Sequence, residues 1–361
     1  MEERVSRQNS LFHPYCVLVP DKPITNPIYN LMAIVIDPTI LAIIHQHNHI
    51  LCVSHVNPDG DAYGSLLGMG WILRHLGKNP VLAMQDRTPT EFRYLPGSGQ
   101  IINPSAVANT YDLIICLDAS SADRMGTVFR AEAHAPIPLL VIDHHITNTR
   151  FGTVNWIAPD CVATCQMLVY LAQALDVPLA GPLAECLLTG LVTDTLGFRT
   201  SNTTPTVMET ALQLMHGGAN LPNIVARTLS RRSARVFQLW GVVLADLHLE
   251  EGVIWVTISR EQMKRAGTNR DDGQLSSMLI TAAEADISAT FTEKVDETGQ
   301  VAVECSFRAK PGYDVGALAF QLGGGGHPPA SGCTLPGTLA EVSQRVVTAL
   351  KAAHQQQAAL K

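Results

Sequence analysis

The chain has 361 residues, 46% of them hydrophobic and 16% charged, with a formal net charge of −7. That length can bury two separate cores, and the composition is that of a globular protein, not a disordered one. The acid excess argues against a grip on long duplex nucleic acid, which calls for a basic face, but leaves room for a short nucleotide held in one pocket.

Residues 1–31 contain Pro14, Pro20, Pro23 and Pro27 without sustained periodicity and read as a poorly ordered extension. They lack the basic-then-apolar order of a signal peptide. The most apolar early stretch, Leu31 to Ile44, is broken by Asp37, Pro38 and Thr39. No apolar run reaches the ~18–20 residues of a membrane span, so the expectation is a cytoplasmic protein without a membrane partner. The 8 cysteines, Cys52, Cys116, Cys165 and Cys186 among them, lie in apolar stretches with no C-x-x-C pair. They read as reduced, buried thiols rather than as disulfides or zinc ligands.

Pro38 to Gln46 predicts a short amphipathic helix and His49 to His55 a buried strand. Gly64 to Leu76 has apolar residues at helical spacing, with Leu66, Met69 and Leu73 as core and Gly77 as the stop. Val81 to Met84, Tyr111 to Leu117 and Pro138 to Ile142 read as further strands, and Val162 to Leu175 and Pro182 to Leu191 as helices. Strands alternating with helices imply an α/β fold with a parallel sheet covered on both faces. Ser201 to Pro205 is a polar turn, and Thr206 to Arg235 reads as largely helical. Beyond Trp240 a second unit is expected: a strand over Gly252 to Ser259, then a hairpin of Asp286 to Glu293 and Gln300 to Phe307 around the turn 296–299. A helix over Val315 to Gln321, the run Gly323 to Gly326, and a last helix over Leu339 to Ala353 follow.

Four segments carry chemistry: His55-Val56-Asn57-Pro58-Asp59-Gly60-Asp61-Ala62, Leu117-Asp118-Ala119, Asp143-His144-His145 and Thr193-Asp194-Thr195. The first three lie just past predicted strands, where ligand crevices of open parallel sheets form. Taken singly, each has an ordinary alternative. Asp61 or Asp118 could be a helix cap, Pro-Asp-Gly an ordinary turn, and a His-His pair a surface feature. Jointly they assemble several carboxylates that a structural core has no use for. Aspartate oxygen and imidazole nitrogen suit Mn²⁺, Mg²⁺ or similar ions, and the set exceeds what one ion needs. Two ions ~3.5–4 Å apart would use it, and would activate water against phosphorus.

In this order the segments H-x-x-x-D-x-D-A, L-D-A, D-H-H and T-D-T resemble the motifs of the DHH phosphoesterase family, from about His49 to the C-terminus. The resemblance implies an N-terminal parallel-sheet DHH catalytic domain over 32–200, a helical linker over 201–238 and a smaller C-terminal α/β DHH-associated substrate-binding domain over 239–361. It implies that His55 and Asp59 hold one metal, that Asp61, His144 and Asp194 hold the other, and that Asp118 bridges them. His145 would stand beside the scissile phosphate and Asp143 would orient its neighbours. The implied cofactors are two divalent ions, Mn²⁺ favoured and Mg²⁺ or Co²⁺ as alternatives.

Four consecutive glycines are costly in regular structure and suit a backbone that approaches an anion closely. Gly324, Gly325 and Gly326 with His327 therefore form a candidate phosphate grip, and Arg308 could join it through two parallel hydrogen bonds. Lys310 and Arg199 read as solvated surface cations. Ser306-Phe307-Arg308 and the glycine run are similar to the family's substrate domain. Length and glycine signature most resemble members acting on short RNA or DNA oligonucleotides, cut from an end to mononucleotides, and on 3′-phosphoadenosine 5′-phosphate (pAp). Hydrolysis of cyclic or linear dinucleotides is the first alternative, inorganic pyrophosphatase another, and a non-catalytic nucleotide-binding protein a further one. Self-association into a homodimer is left open.

Overall fold

The computed structural model describes residues 36–108, 110–268, 275–295 and 299–359. The expectation for residues 1–31, and positions 296–298 of the expected hairpin turn, lie outside them.

The first lobe begins with α1 (Pro38–Gln46), β1 (His49–Val53), α2 (Gly60–His75) and β2 (Asn79–Ala83). It continues with β3 (Leu113–Leu117), α3 (Ala131–His134), β4 (Leu139–Asp143), β5 (Val154–Ile157), α4 (Thr164–Ala174) and α5 (Pro182–Asp194). The five strands form one parallel sheet in the order β2-β1-β3-β4-β5. Alternation along β1 and β3 sends Ile50, Cys52, Leu113, Ile115 and Leu117 into one core with α2, α4 and α5. Leu51, Val53, Ile114 and Cys116 enter a second core on the opposite face. Leu66, Met69 and Leu73 are buried core residues, as their spacing predicts.

Two elements differ from the expectation. The first long helix begins at Gly60, not Gly64, because Asp59 caps it, accepting from the amides of Asp61 and Ala62 at 3.0 and 3.1 Å. Asp61 therefore stands in the first helical turn and not in a loop. The edge strand β5 carries no clear signal: it is four residues long and half-buried at three of them.

Residues 205–243 form α6 (Pro205–His216), α7 (Leu221–Thr228) and α8 (Ala234–Val243). They are not a free-standing linker. Val207, Ala211, Leu214 and Ile224 enter the first lobe's core, whereas Val236, Leu239, Trp240 and Val243 pack in the second lobe. The chain crosses between lobes at 229–233.

The second lobe comprises β6 (His248–Glu250), β7 (Val253–Ile258), α9 (Arg260–Arg265), α10 (Leu275–Leu279), β8 (Ile287–Val295) and β9 (Val301–Ala309). It is completed by α11 (Gly316–Gln321), β10 (Gly325–His327), β11 (Ala330–Pro336) and α12 (Leu339–Ala358). Its sheet has the order β10-β11-β9-β8-β7-β6 and is antiparallel except for β7 with β8. One face, with Phe291, Val303, Cys305 and Phe307, packs on α12. Ser288, Thr290, Ser306, Arg308 and Gly332 alternate onto the other face.

The glycine run, costly in regular structure, is nonetheless largely built into it. Gly323 takes φ +79° and closes α11: its N–H bonds to Phe320 O at 3.0 Å, and that of Gly324 to Ala319 O at 2.8 Å. Gly325 and Gly326 then form an edge strand with His327. A phosphate cradle built from this run is thereby narrowed to Gly325, Gly326 and the following His327, since the amides of Gly323 and Gly324 are already bonded.

Candidate metal centre

His55 follows β1, Asp118 follows β3, Asp143 ends β4 with His144 and His145 after it, and Asp59 and Asp61 open α2. Asp194 ends α5. The parallel sheet thus delivers its strand tips to one crevice, and α2 and α5 reach the same point because they pack unusually close. A Cβ on Gly64 would lie 2.6 Å from Cys186 O, and one on Gly190 would lie 2.5 Å from Asp61 Oδ1. Only glycine allows this approach.

His55 Nε2 lies 3.5 Å from Asp118 Oδ2 and 3.9 Å from Asp59 Oδ1. His144 Nε2 lies 3.3 Å from Asp194 Oδ2, 3.6 Å from Asp118 Oδ1 and 4.0 Å from Asp61 Oδ2. Asp118 therefore offers one oxygen to each imidazole. His55, Asp59 and Asp118 form one set of donors able to hold a cation; Asp61, His144 and Asp194 form another; Asp118, His144 and His145 overlap both.

The donors fit divalent ions. These separations are mostly too long for hydrogen bonds and suit atoms sharing an ion at ~2.0–2.2 Å from each. Each imidazole turns Nε2 to the carboxylates, while its Nδ1 contacts a backbone carbonyl: Val56 O at 2.9 Å for His55 and Cys161 O at 3.3 Å for His144. Such an outer contact selects the tautomer a ligand needs. Burial, then the charge of Asp118, pushes Asp61 well above the usual carboxylate range. Burial and the charges of Asp61 and Asp59 do the same to Asp194. Burial also opposes ionisation of Asp118, but His55, His145 and His144 outweigh it and hold it low. For His55, burial is outweighed by Asp118 and Asp59, which raise it to about 9. Crowded carboxylates that must borrow protons or imidazolium charge are a site built for cations.

Asp118 has φ +58°, strained for a residue with a side chain. Around it stand residues that motif reading passes over. Thr164 Oγ1 donates to Asp118 Oδ1 at 3.1 Å. The first amides of α4, of Thr164 and Cys165, donate to the two oxygens of Asp61 at 2.6 and 2.9 Å. Arg124 Nη2 lies 3.1 Å from His55 Nδ1. Asp143 accepts from His145 Nδ1 at 2.7 Å and from Asn148 Nδ2 at 2.6 Å. Thr164 has no local sequence signal, because it meets Asp118 only through the fold. Asn148 lies only five residues past Asp143 along the chain.

The second lobe closes on this crevice. The His327 ring stacks on His145 with centroids 5.1 Å apart, and lies 6.0 Å from His144. Burial and the charges of these two histidines lower its pKa to about 4. His327, Ala330 and Arg308 share one row across β10, β11 and β9, so their side chains leave the same face. Arg308 is half-buried and bonds Ser277 Oγ at 3.0 Å, Phe307 O at 2.8 Å and Ser306 Oγ at 3.4 Å. Among the described residues no carboxylate pairs with it. Lys310, expected to be solvated, is instead tied to the carbonyls of Ala282 and Ala283 at 2.8 and 3.2 Å. Arg199 is exposed, with Nε on Leu196 O at 2.7 Å.

The chain matches the DHH family, N-terminal domain, over residues 49–191 and the DHHA1 domain over residues 255–358. It is 34% identical over 305 residues to the bifunctional oligoribonuclease and PAP phosphatase NrnA of Thermus thermophilus, covering 84% of this chain and 89% of that one. It is 26% identical to the protein of the same name from Bacillus subtilis, covering 82% and 92%. Among solved structures, an exopolyphosphatase-related protein from Bacteroides fragilis has the same fold, with a TM-score of 0.80 at 23% identity, covering 89% of this chain and 96% of that chain.

Proposed function

This chain belongs to the DHH family of phosphoesterases, and from that premise we propose that it cuts short oligoribonucleotides to mononucleotides and removes the 3′-phosphate of pAp. The relatives from Thermus thermophilus and Bacillus subtilis are named for both activities. The observation that carries the reading is the convergence of seven metal-type donors in one crevice, with His327 of the second lobe stacked on one of them, His145.

In this reading His55, Asp59 and Asp118 hold one divalent cation, and Asp61, His144 and Asp194 share Asp118 to hold the other. Oxygen and imidazole donors favour Mn²⁺, with Mg²⁺ or Co²⁺ as substitutes. Bound there, the ions supply Lewis acidity that activates water and offsets charge on the phosphoryl oxygens. The chain does the rest. Thr164 and the α4 amides fix Asp118 and Asp61 in position. Asp143, itself held by Asn148, accepts from Nδ1 of His145 and with Asp118 keeps that ring an imidazolium against the effect of burial, so that Nε2–H can donate to a phosphoryl or leaving oxygen. Arg308, Gly325, Gly326 and His327 hold the terminal phosphate, and the short span from His327 to His145 sets the held phosphate beside the one being cut. A grip on a chain end predicts release of mononucleotides.

The test is an assay with Mn²⁺ over a ladder of 5′-phosphorylated oligoribonucleotides, pAp and cyclic di-AMP. Short oligonucleotides and pAp should turn over. Turnover confined to cyclic di-AMP would move the assignment to the cyclic-dinucleotide class. Background release from every substrate would leave a nucleotide-binding protein.

A further inference from the structure

The two cysteines of the second lobe read as reduced, buried thiols, but they stand directly opposed. Cys305 on β9 and Cys333 on β11 are direct partners in the antiparallel register. Both side chains enter the core beneath the sheet, with 1% and 7% of their surface exposed. Directly opposed residues in such a pair have Cα atoms ~4.5–5.5 Å apart, within the ~4.4–6.8 Å that a disulfide spans. The Cys305 thiol donates to Val303 O at 3.8 Å, a weak contact it can give up. No other two described cysteines are register partners across strands: Cys52 faces Leu82 and Ile115, and Cys116 faces Val53 and Val141.

The pair lies under the glycine run. A Cβ on Gly324 would sit 2.5 Å from Cys333 Cβ and 2.1 Å from Gly332 O. The backbone entering β10 therefore rests on Cys333 with no slack, and β10 carries His327 to the metal centre.

We propose that Cys305 and Cys333 are a redox modification site, forming a cross-strand disulfide that shifts the glycine run and weakens its hold on substrate phosphate. The oxidant is a low-molecular-weight disulfide of the glutathione type. Cys333, the more exposed of the two, attacks one sulfur of that disulfide as a thiolate and expels the other as a thiol. Cys305 then loses its proton and attacks the Cys333 sulfur, expelling the second thiol. Two protein thiols are oxidised by two electrons in total, and one external disulfide is reduced to two thiols. Consistent with this order, the neighbouring Cys305 thiol holds Cys333 below its ordinary pKa, whereas Cys333 and burial push Cys305 up. Drawing the sulfurs together moves the Cys333 backbone against Gly324, and the edge strand has no side chain there to absorb the change. The effect on substrate rests on the phosphate-grip reading of the glycine run; the modification itself does not.

The full chain is equilibrated with graded ratios of oxidised to reduced glutathione, alkylated under denaturing conditions and mapped by mass spectrometry. A linked peptide joining residues 305 and 333, lighter by the two lost hydrogens and removed by dithiothreitol, is expected. Recovery of both cysteines fully alkylated under the most oxidising condition, or capture of either by a different cysteine, overturns the site. KM for a 5′-phosphorylated dinucleotide, measured on the same samples with Mn²⁺, should rise at least about threefold on oxidation with kcat little changed. Cys305→Ser and Cys333→Ala should abolish both the linked peptide and the rise. A disulfide that leaves KM unchanged overturns the coupling to the glycine run, and a rise that persists in both variants assigns it to other thiols. The peptide map requires no turnover, so loss of this proposal and loss of the phosphoesterase reading are told apart.

Discussion

Asp118 shows how one residue can concentrate the requirements of a site. Each of its oxygens faces a different imidazole, Thr164 steadies one of them, and its backbone is held at φ +58°. A structural aspartate gains nothing from that strain, whereas a ligand shared between two cations needs both lone-pair directions fixed. Asp118→Ala should lower turnover by roughly 10³-fold or more, while the far-ultraviolet circular dichroism stays that of the parent. Near-normal turnover would remove the bridging role. Arg308 has a different task in the proposed reading. It is half-buried, lacks a carboxylate partner among the described residues, and leaves the sheet on the face that carries His327. Losing a charge-assisted contact of this kind costs about 1.5–3 kcal/mol, so Arg308→Ala should raise KM for terminally phosphorylated substrates by about ten- to hundredfold. An unchanged KM would take it out of the grip.

The decisive element is the α2–α5 pair. Gly60, Gly64 and Gly68 recur every fourth residue on α2, and the Cβ atoms they lack would strike Thr193, Cys186 and Leu187 of α5. This glycine face, more than the apolar stripe of Leu66, Met69 and Leu73, brings Asp61 and Asp194 within reach of one imidazole. Gly64→Ala forces a methyl to within 2.6 Å of Cys186 O, a backbone atom that cannot rotate away. The cost should be about 1–3 kcal/mol in stability, read as a lower melting temperature, together with weaker metal affinity because the helices move apart. A variant with the parent's melting temperature and Mn²⁺ affinity would show that the two helices adjust freely. The glycine run of β10 obeys the same logic. Two of its amides close α11 and the rest form an edge strand, so glycine there serves a close approach and not a loose loop.

Over the whole molecule, two lobes joined at 229–233 place the metal-type donors and the proposed phosphate grip within one ring stack of each other. In the proposed reading such spacing suits a chain end rather than a long strand, in keeping with a net charge of −7. Short 5′-phosphorylated oligonucleotides should therefore be consumed with mononucleotides as the first product, and duplex DNA should neither be cut nor compete. Internal cleavage products from a long strand would contradict end recognition. The crowded carboxylates also tie stability to metal. Protein stripped by a chelator should gain about 2.7 kcal/mol per site at a hundredfold excess of Mn²⁺ over Kd, seen as a rise in melting temperature that Asp194→Ala reduces. No response to Mn²⁺ in the parent would argue against ions at this centre.

Much of this protein is determined along the chain alone. Apolar runs of strand length between helical periods dictate an α/β fold, because hydrophobic periodicity is a local property. Carboxylates and imidazoles just past those runs mark the crevice, because parallel strands all end at the same edge. What the tertiary structure decides is non-local. Thr164 meets Asp118, the α4 amides meet Asp61, and Cys305 meets Cys333 only because separate segments pack together. The start of α2 at Gly60 and the strand made by Gly325 to His327 carry little sequence signal for a related reason: glycine weakens the local signal for regular structure in the very places where a close neighbour leaves no room for a side chain.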